Sequence, residues 1–405
     1  MQHLEVTGSS SSTIQGSFKN RRIFHRFAMT GVPFVTAAVF LFAVGRSHLN
    51  RNKVAYCSSS NYLNAEGNVR TRQTPADMYF QKHKELPRPS KVHTTLPDLA
   101  AASKSKDSTA ESYYCPAASA GVAKNILIIG DVHGCYEELI ELHDKAVQEN
   151  NGPFSYVILV GDLCNKGPHS AKVIRHVRLT PNWYSVRGNH DDGALSAALG
   201  HKKSLKKAKY AWVKEGMEEP DTANESDKVV LSDDDINWLS DLPYTITIPR
   251  EYTGDDEDTI VVHAGFIPDK DLHKQDIEDM ITIRDIRAKC DDNGKFKHFK
   301  PHEKGKSKAL VASSLEEAKT CDNRVTWASA WFGPQRVVFG HNAKRRLQLY
   351  PGHWAIGLDT GAVYGGELTG LILPGRKLVS IQTFEHSPVT QTAGEEAGQT
   401  DDDAT

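Results

Sequence analysis

From Lys124 onward the chain runs in short apolar blocks separated by polar stops, and this rhythm predicts most of the fold. Ile126 to Ile129 is a four-residue apolar run that stops at Gly130, Asp131, His133 and Gly134. A short apolar block bounded by glycine reads as a buried parallel strand. Tyr136 to about Gln148 places Leu139, Ile140 and Leu142 on one side, which predicts a helix. A second strand (Tyr156–Val160) leads to a helix from about Ser170 to Val177, and a third strand follows (Trp183–Val186). This βαβαβ order implies a parallel core. A Lys-rich helix candidate spans His201 to Glu215, a polar loop spans Glu218 to Lys228, and Ser232 to Leu239 reads as a capped helix. Thr245–Ile248, Thr259–Val262, Arg336–Phe339, Ala355–Leu358, Leu368–Leu373 and Leu378–Thr383 are strand-like without helices between the late ones, which suggests a second sheet.

The flanks read differently. Met1 to Asn20 is rich in Ser and Thr, so residues 1–26 are expected to be disordered. Arg21, Arg22 and Arg26 precede an uncharged run of nineteen residues, Phe27 to Gly45. At ~1.5 Å per residue it spans about 28 Å, close to the ~30 Å hydrocarbon core of a bilayer. The expectation is a single-pass membrane anchor, with a slightly basic N-terminal flank favouring a lumenal, vacuole- or lysosome-like placement of the folded domain. A cleaved signal peptide, giving a secreted protein, is the main rival; a cytoplasmic protein and a mitochondrial presequence are others. Residues 46–123 lack a sustained apolar period and are expected to form a disordered tether. Residues 124–386 are expected to form one folded domain, and 387–405 a disordered acidic tail.

Composition is globular: 405 residues, 39% hydrophobic and 25% charged, with a formal net charge of −2. That balance gives no global pull toward nucleic acid or anionic lipid, so any anion preference must be local. Cys57, Cys115, Cys135, Cys164, Cys290 and Cys321 include no CxxC pair, which argues against a structural zinc site. Cys135 and Cys164 read as small buried thiols. In an oxidising lumen Cys57 could pair with Cys115, or Cys290 with Cys321.

The strand ends carry the chemistry. Asp131 and His133 follow the first strand. Gly161-Asp162 ends the second, followed by Asn165, Lys166 and Gly167. Arg187-Gly188-Asn189-His190-Asp191 follows the third. His263-Ala264-Gly265 and Gly340-His341-Asn342 end two later strands. Each is an apolar strand stopping at a metal-ligand residue type flanked by glycine, at the sheet edge where open α/β sheets bind ligands.

This constellation resembles the metallophosphoesterase superfamily, with its GDxHG, GDxx, GNHD/E, H and GH pattern, over about Lys124 to His386. Lys166-Gly167-Pro168, TIRDIR at Thr282–Arg287, WASAWFGP at Trp327–Pro334, FGHNAKRRLQ at Phe339–Gln348 and LDTGAVYGGELTGLIL at Leu358–Leu373 resemble the eukaryotic ApaH-like phosphatases, relatives of bacterial diadenosine tetraphosphatases and Ser/Thr phosphoprotein phosphatases. The resemblance implies an α/β fold, a two-sheet sandwich flanked by helices, with a dinuclear metal site at one sheet edge. It implies that Asp131, His133 and Asp162 hold one metal, and that Asp162, Asn189, His263 and His341 hold the other, with Asp162 bridging. Mixed His, Asp and Asn ligands suit two ions of Mn, Zn or Fe. His190 is implied as the general acid, with Asn165 and Asp191 beside it in the catalytic group. Arg187, Lys166, Arg284 and Tyr364 are implied phosphate contacts. Asn165 departs from the phosphoprotein phosphatases, which carry Asp there. An amide cannot stabilise an imidazolium by charge, so His190 should give up its proton more readily, which suits a phosphoanhydride leaving group. Asn342 is a second departure, standing where the branch carries Asp.

Lys295 to Lys308 holds six lysines and two histidines with one acidic residue. It is either a solvated loop or a docking strip for a polyanion. Inorganic polyphosphate is the first expected substrate. A Ser/Thr phosphoprotein phosphatase, a hydrolase of dinucleoside polyphosphates or nucleotide caps, and an idle membrane-anchored scaffold that binds phosphate groups are the alternatives. Specific nucleic-acid binding is not expected.

Overall fold

The structure is a computed structural model that describes residues 61–63, 69–71, 73–106, 124–201, 210, 212–215, 231–302, 309–321, 323–350, 352 and 354–386. These lie in one compact unit, Asn61–Thr405. Its elements in chain order are α1 (Pro75–Lys82), β1 (His93–Thr95), α2 (Leu96–Lys106), β2 (Ile126–Ile129), α3 (Tyr136–Glu149), β3 (Tyr156–Leu159), α4 (Ser170–Leu179), β4 (Trp183–Ser185), α5 (Asn189–Ala198), α6 (Asp233–Asp241), β5 (Thr245–Ile248) and β6 (Thr259–Val262). They continue with β7 (Asp285–Cys290), β8 (Phe296–Pro301), β9 (Arg324–Thr326), β10 (Arg336–Phe339), β11 (Gln348–Leu349), β12 (Ala355–Gly357), β13 (Glu367–Leu373) and β14 (Lys377–Gln382).

The expected βαβαβ unit is present: β2, β3 and β4 pair in parallel, Ile126 opposite Tyr156 and Val157 opposite Trp183. They belong to a five-stranded sheet ordered β14-β13-β2-β3-β4, and a six-stranded sheet is ordered β11-β12-β10-β6-β5-β1. Alternation along the strands divides the core. Ile126 and Ile128 pack with Ile246, Ile248, Val261, Val338 and Ile356 of the other sheet. Leu127 and Ile129 pack with Leu139, Leu142, Val173 and Val177 of the covering helices. All are buried, and each contributes about 1.5–3 kcal/mol by leaving water.

The last two strands do not join the second sheet. β13 pairs antiparallel with β2, Gly370 opposite Ile129, and β14 pairs with β13. Leu368 to Leu373 is apolar on both faces and buried throughout, and a position inside the first sheet covers both faces. A third sheet, β8-β7-β9, went unrecognised as strands in the sequence. The expected helix at Ser232–Leu239 is α6, with Ser232 and Asp235 forming a reciprocal cap.

The expected tether at 46–123 is corrected over residues 73–102, which pack on the domain. Thr74 caps α1, β1 pairs in parallel with β5, and Tyr79, Leu86 and Leu96 are buried. These apolar residues are too widely spaced to show a period, yet each enters a core cluster. The single-pass membrane placement is also corrected: no described helix is long and apolar enough to cross a membrane. The apolar runs of the described chain are covered by sheets and helices, and the run from Phe27 to Gly45 lies outside the described residues. The two expected cysteine pairs part company. Cys290 and Cys321 are disulfide-bonded, Cys135 and Cys164 are buried free thiols, and Cys57 and Cys115 lie outside the described residues.

Candidate active site

Five loops, each following a strand, converge. The His133 N–H donates to the Asp162 carbonyl at 2.9 Å, and the Gly340 N–H donates to the His263 carbonyl at 2.8 Å. The His341 N–H reaches both carboxylate oxygens of Asp131, at 3.0 and 3.2 Å. Asp191 ties two loops together: its carboxylate accepts the N–H groups of Asp162, Leu163 and Gly188 at 2.9–3.0 Å. The fit is tight where backbone meets carboxylate, for a Cβ on Gly340 would collide with that of Asp131 and one on Gly188 with that of Asp162. His133, Asp162, Asn165, Lys166 and His341 all hold φ between 48° and 75°. Left-handed backbone at a non-glycine residue costs of order 1–3 kcal/mol and collects at functional sites.

Two groups of donor atoms share one residue. His133, Asp162 and His190 form the first; Asp162, His263 and His341 form the second; within each, the candidate ligand atoms lie within 4.8 Å of one another. The ring nitrogens are sorted by their backbone partners. Nδ1 of His133 faces the Cys164 carbonyl at 3.1 Å, and Nδ1 of His263 faces the Val160 carbonyl at 3.0 Å. A carbonyl only accepts, so each Nδ1 carries the ring proton and each Nε2 presents a lone pair. Those lone pairs face carboxylate oxygen: His133 Nε2 is 3.6 Å from Asp162 Oδ2, and His263 Nε2 is 3.3 Å from Asp162 Oδ1. Asn189 Oδ1 lies 3.0 Å from His263 Nε2 and 3.1 Å from His341 Nδ1. Oxygen and nitrogen atoms this close in a buried cleft call for positive charge between them, a proton or a metal ion, and the mixed donor set fits two divalent ions with Asp162 between them.

The electrostatics show how closely these charges are crowded. Burial and the carboxylate of Asp359 raise Asp131 well above the ordinary carboxylate range. Burial works against an ionised Asp162, but the rings of His263 and His190 outweigh it and hold that carboxyl well below its usual range. Burial likewise disfavours a charged His263, yet the facing Asp162 carboxylate lifts it to about 10. Burial, reinforced by Lys166, drops His133 to about 3, so its ring is neutral and ready to bind metal. Burial and the nearby Arg284 hold His341 well below the ordinary histidine range.

Around this centre, His190 Nδ1 lies 2.7 Å from the Asn165 side-chain nitrogen. The Lys166 ammonium stands 3.2 Å from His133 Nε2 and 5.2 Å from the centroid of the Tyr364 ring. Arg284 is exposed beside the His341 loop. Asp191, grouped with the catalytic residues in the sequence, spends its carboxylate on backbone N–H groups and the Cys164 thiol, so it positions loops. Arg187 is corrected outright. It is fully buried and turned into the domain, where it pairs with Asp192 at 2.8 Å and donates to Tyr244 Oη at 3.0 Å and the Ser240 carbonyl at 2.9 Å. Its fork is consumed there and has none of the freedom a phosphate clamp needs. The sequence reading missed Asp359, a buried carboxyl that couples electrostatically to Asp131 and Lys166. The signal was present: β12 and Leu358 run apolar into Asp359-Thr360-Gly361, the same strand, acid, glycine order.

A family model described as calcineurin-like phosphoesterase matches residues 124–351. The chain is 28% identical over 269 residues to an asymmetrical bis(5'-nucleosyl)-tetraphosphatase of Halalkalibacterium halodurans, covering 63% of this chain and 92% of that protein. It is 30% identical over 277 residues to a symmetrical bis(5'-nucleosyl)-tetraphosphatase of Vibrio cholerae, covering 60% and 93%. A crystal structure of a protein provisionally described as a diadenosine tetraphosphatase matches with 28% identity, covering 66% of this chain and 96% of that one, at a TM-score of 0.47. With the family match spanning the five converging loops, the chain belongs to the calcineurin-like phosphoesterase family of metal-dependent phosphohydrolases.

Proposed function

We propose that this chain hydrolyses phosphoanhydride bonds at the cleft built on Asp162. The observation that carries the reading is the sharing of the Asp162 carboxylate between two donor groups, one with His133 and one with His263 and His341. Asp131 joins the first set, and Asn189 the second. Two divalent ions held by these residues would supply Lewis acidity and lower the pKa of water to about 7. Lys166 holds phosphoryl oxygens as a point charge, with the Tyr364 ring beside its ammonium. Arg284 meets the substrate from the exposed side. Water attacks phosphorus in line, the bridging P–O bond breaks, and Nε2 of His190 gives its proton to the departing oxygen. Asn165 orients His190 through Nδ1. Its amide can turn either end to the ring, oxygen toward Nδ1–H or nitrogen toward a bare Nδ1, so it orients without adding charge.

Linear inorganic polyphosphate is the substrate we favour, supported by the basic lysine- and histidine-rich stretch at β8. Dinucleoside tetraphosphates are the second reading, favoured by the printed names of the relatives. The test is the full chain with Mn or Zn, given polyphosphate, diadenosine tetraphosphate and a phosphoserine peptide side by side. The reading expects turnover of a phosphoanhydride and a fall of roughly 10²–10⁴ in kcat for H190A. Turnover of the phosphopeptide alone, or full activity in H190A, overturns it.

A further inference from the structure

The three-stranded sheet β8-β7-β9 lines up cations on one rung. In its register Arg287 of β7 is opposite Lys300 of β8 on one side and Arg324 of β9 on the other. Directly opposed residues in antiparallel strands share a face. The other face is apolar and buried, with Ile286, Ala288, Phe299 and Val325 in the core, so the cationic rung faces outward. Asp285, two residues along β7 and on the same face, is shared by Arg324 at 2.6 Å and Arg345 at 2.6 Å. One carboxylate therefore stands among several cations.

Two nitrogens at this rung lack partners, one of them a guanidinium donor. Arg287 Nε and His302 Nε2 are buried atoms without a hydrogen-bond partner among the described residues. His302 is anchored here by its N–H, which donates to the Asp285 carbonyl at 3.0 Å. A buried guanidinium N–H without an acceptor, set among like charges, calls for an anion, and the His302 ring turns a donor to it when Nε2 carries the proton. The rung is continuous with the catalytic cleft: Arg345 also donates to the Arg284 carbonyl at 3.2 Å, and Arg284 borders His341.

We propose that Arg287, Lys300, Arg324 and His302 form a second phosphate-binding subsite, which holds phosphoryl groups further along the chain than those at the catalytic pair. The proposal rests on the phosphohydrolase reading above and extends it: the substrate is an oligophosphate long enough to reach from Arg284 to this rung. The ligand chemistry is the same whether the chain ends in free phosphate or in nucleosides.

R287Q/K300Q and the milder K300Q, whose side chain is exposed, test it in the full chain. kcat/KM is measured on p-nitrophenyl phosphate, long-chain polyphosphate and diadenosine tetraphosphate, with tripolyphosphate binding by calorimetry on metal-free protein. Expected is a rise of roughly tenfold in KM for long-chain polyphosphate, with p-nitrophenyl phosphate unchanged and tripolyphosphate affinity lowered. A KM rise for polyphosphate alone assigns the rung to free phosphate chains, and one for both long substrates assigns it to oligophosphate in general. Unchanged KM and unchanged tripolyphosphate affinity in R287Q/K300Q overturn the subsite. If the unmodified chain cleaves no phosphoanhydride, the functional reading fails and calorimetry alone decides the subsite: lowered affinity supports it, retained affinity overturns it.

Discussion

The side-chain nitrogen of Asn165 lies 2.7 Å from Nδ1 of His190, with both residues buried. An amide in that place orients the ring without adding a countercharge of its own to that of Asp162. Replacing it by Asp adds one, which raises the pH at which His190 loses its proton. A general acid works only while protonated, so activity falls as pH rises through that point. N165D is expected to move the alkaline limb of the kcat profile upward by about one unit. It should raise phosphoserine turnover, whose leaving group needs the proton more, without raising phosphoanhydride turnover. A gain confined to phosphoanhydrides contradicts this role.

Arg187 and Asp192 form a buried pair at 2.8 Å, and Asp192 also accepts from Tyr79 Oη at 2.6 Å. R187M leaves a buried carboxylate without its cation, a loss of about 3–5 kcal/mol in unfolding free energy. KM of the folded enzyme should hardly move, because the guanidinium is turned away from the cleft. Denaturant melts with steady-state kinetics separate the two effects, and a large KM rise at unchanged stability restores the phosphate-clamp role.

Asp191 supports three N–H groups. D191A strands them at about 1–3 kcal/mol each, and the loops carrying Asp162 and Asn189 lose their common tie. D191A is expected to lose both stability and bound metal, while D191N, which keeps one acceptor oxygen, loses less of each. Metal content by elemental analysis, read beside thermal melts, checks the order D191A, D191N, unmodified chain.

Away from the cleft, burial and the neighbouring Asp276 raise Asp279 to about 7. Its ordinary value is near 3.8, so between those points the folded state binds more protons than the unfolded one. The Asp279 contribution to stability is therefore present below about pH 4 and lost as pH rises through 7. D279N removes this loss. Its melting temperature should exceed that of the unmodified chain at pH 8 and differ little at pH 4; an equal offset at both pH values contradicts the assignment.

The strand-then-ligand order was legible because each ligand is local to its strand. Ile126 to His133, Tyr156 to Asp162 and Arg336 to His341 each carry their own apolar run and stop. Arg187 was misread because its neighbours Gly188 and Asn189 belong to the site, and chain proximity cannot tell which way a long side chain turns. Only the fold brings Tyr79, Tyr244 and Asp192 around it. Residues 73–102 were misread because Tyr79, Leu86 and Leu96 are anchors without a period. The cationic rung was invisible because Arg287, Lys300 and Arg324 meet through strand register, which spacing along the chain does not reveal.

The chemistry proposed for this cleft depends on one carboxylate, Asp162, bridging two cations. Anomalous diffraction from crystals of the full chain grown with Mn tests it most directly. Two peaks about 3.5–4 Å apart are expected, one beside His133 and one between His263 and His341, each within bonding distance of Asp162. A single peak, or two that Asp162 does not touch, contradicts it.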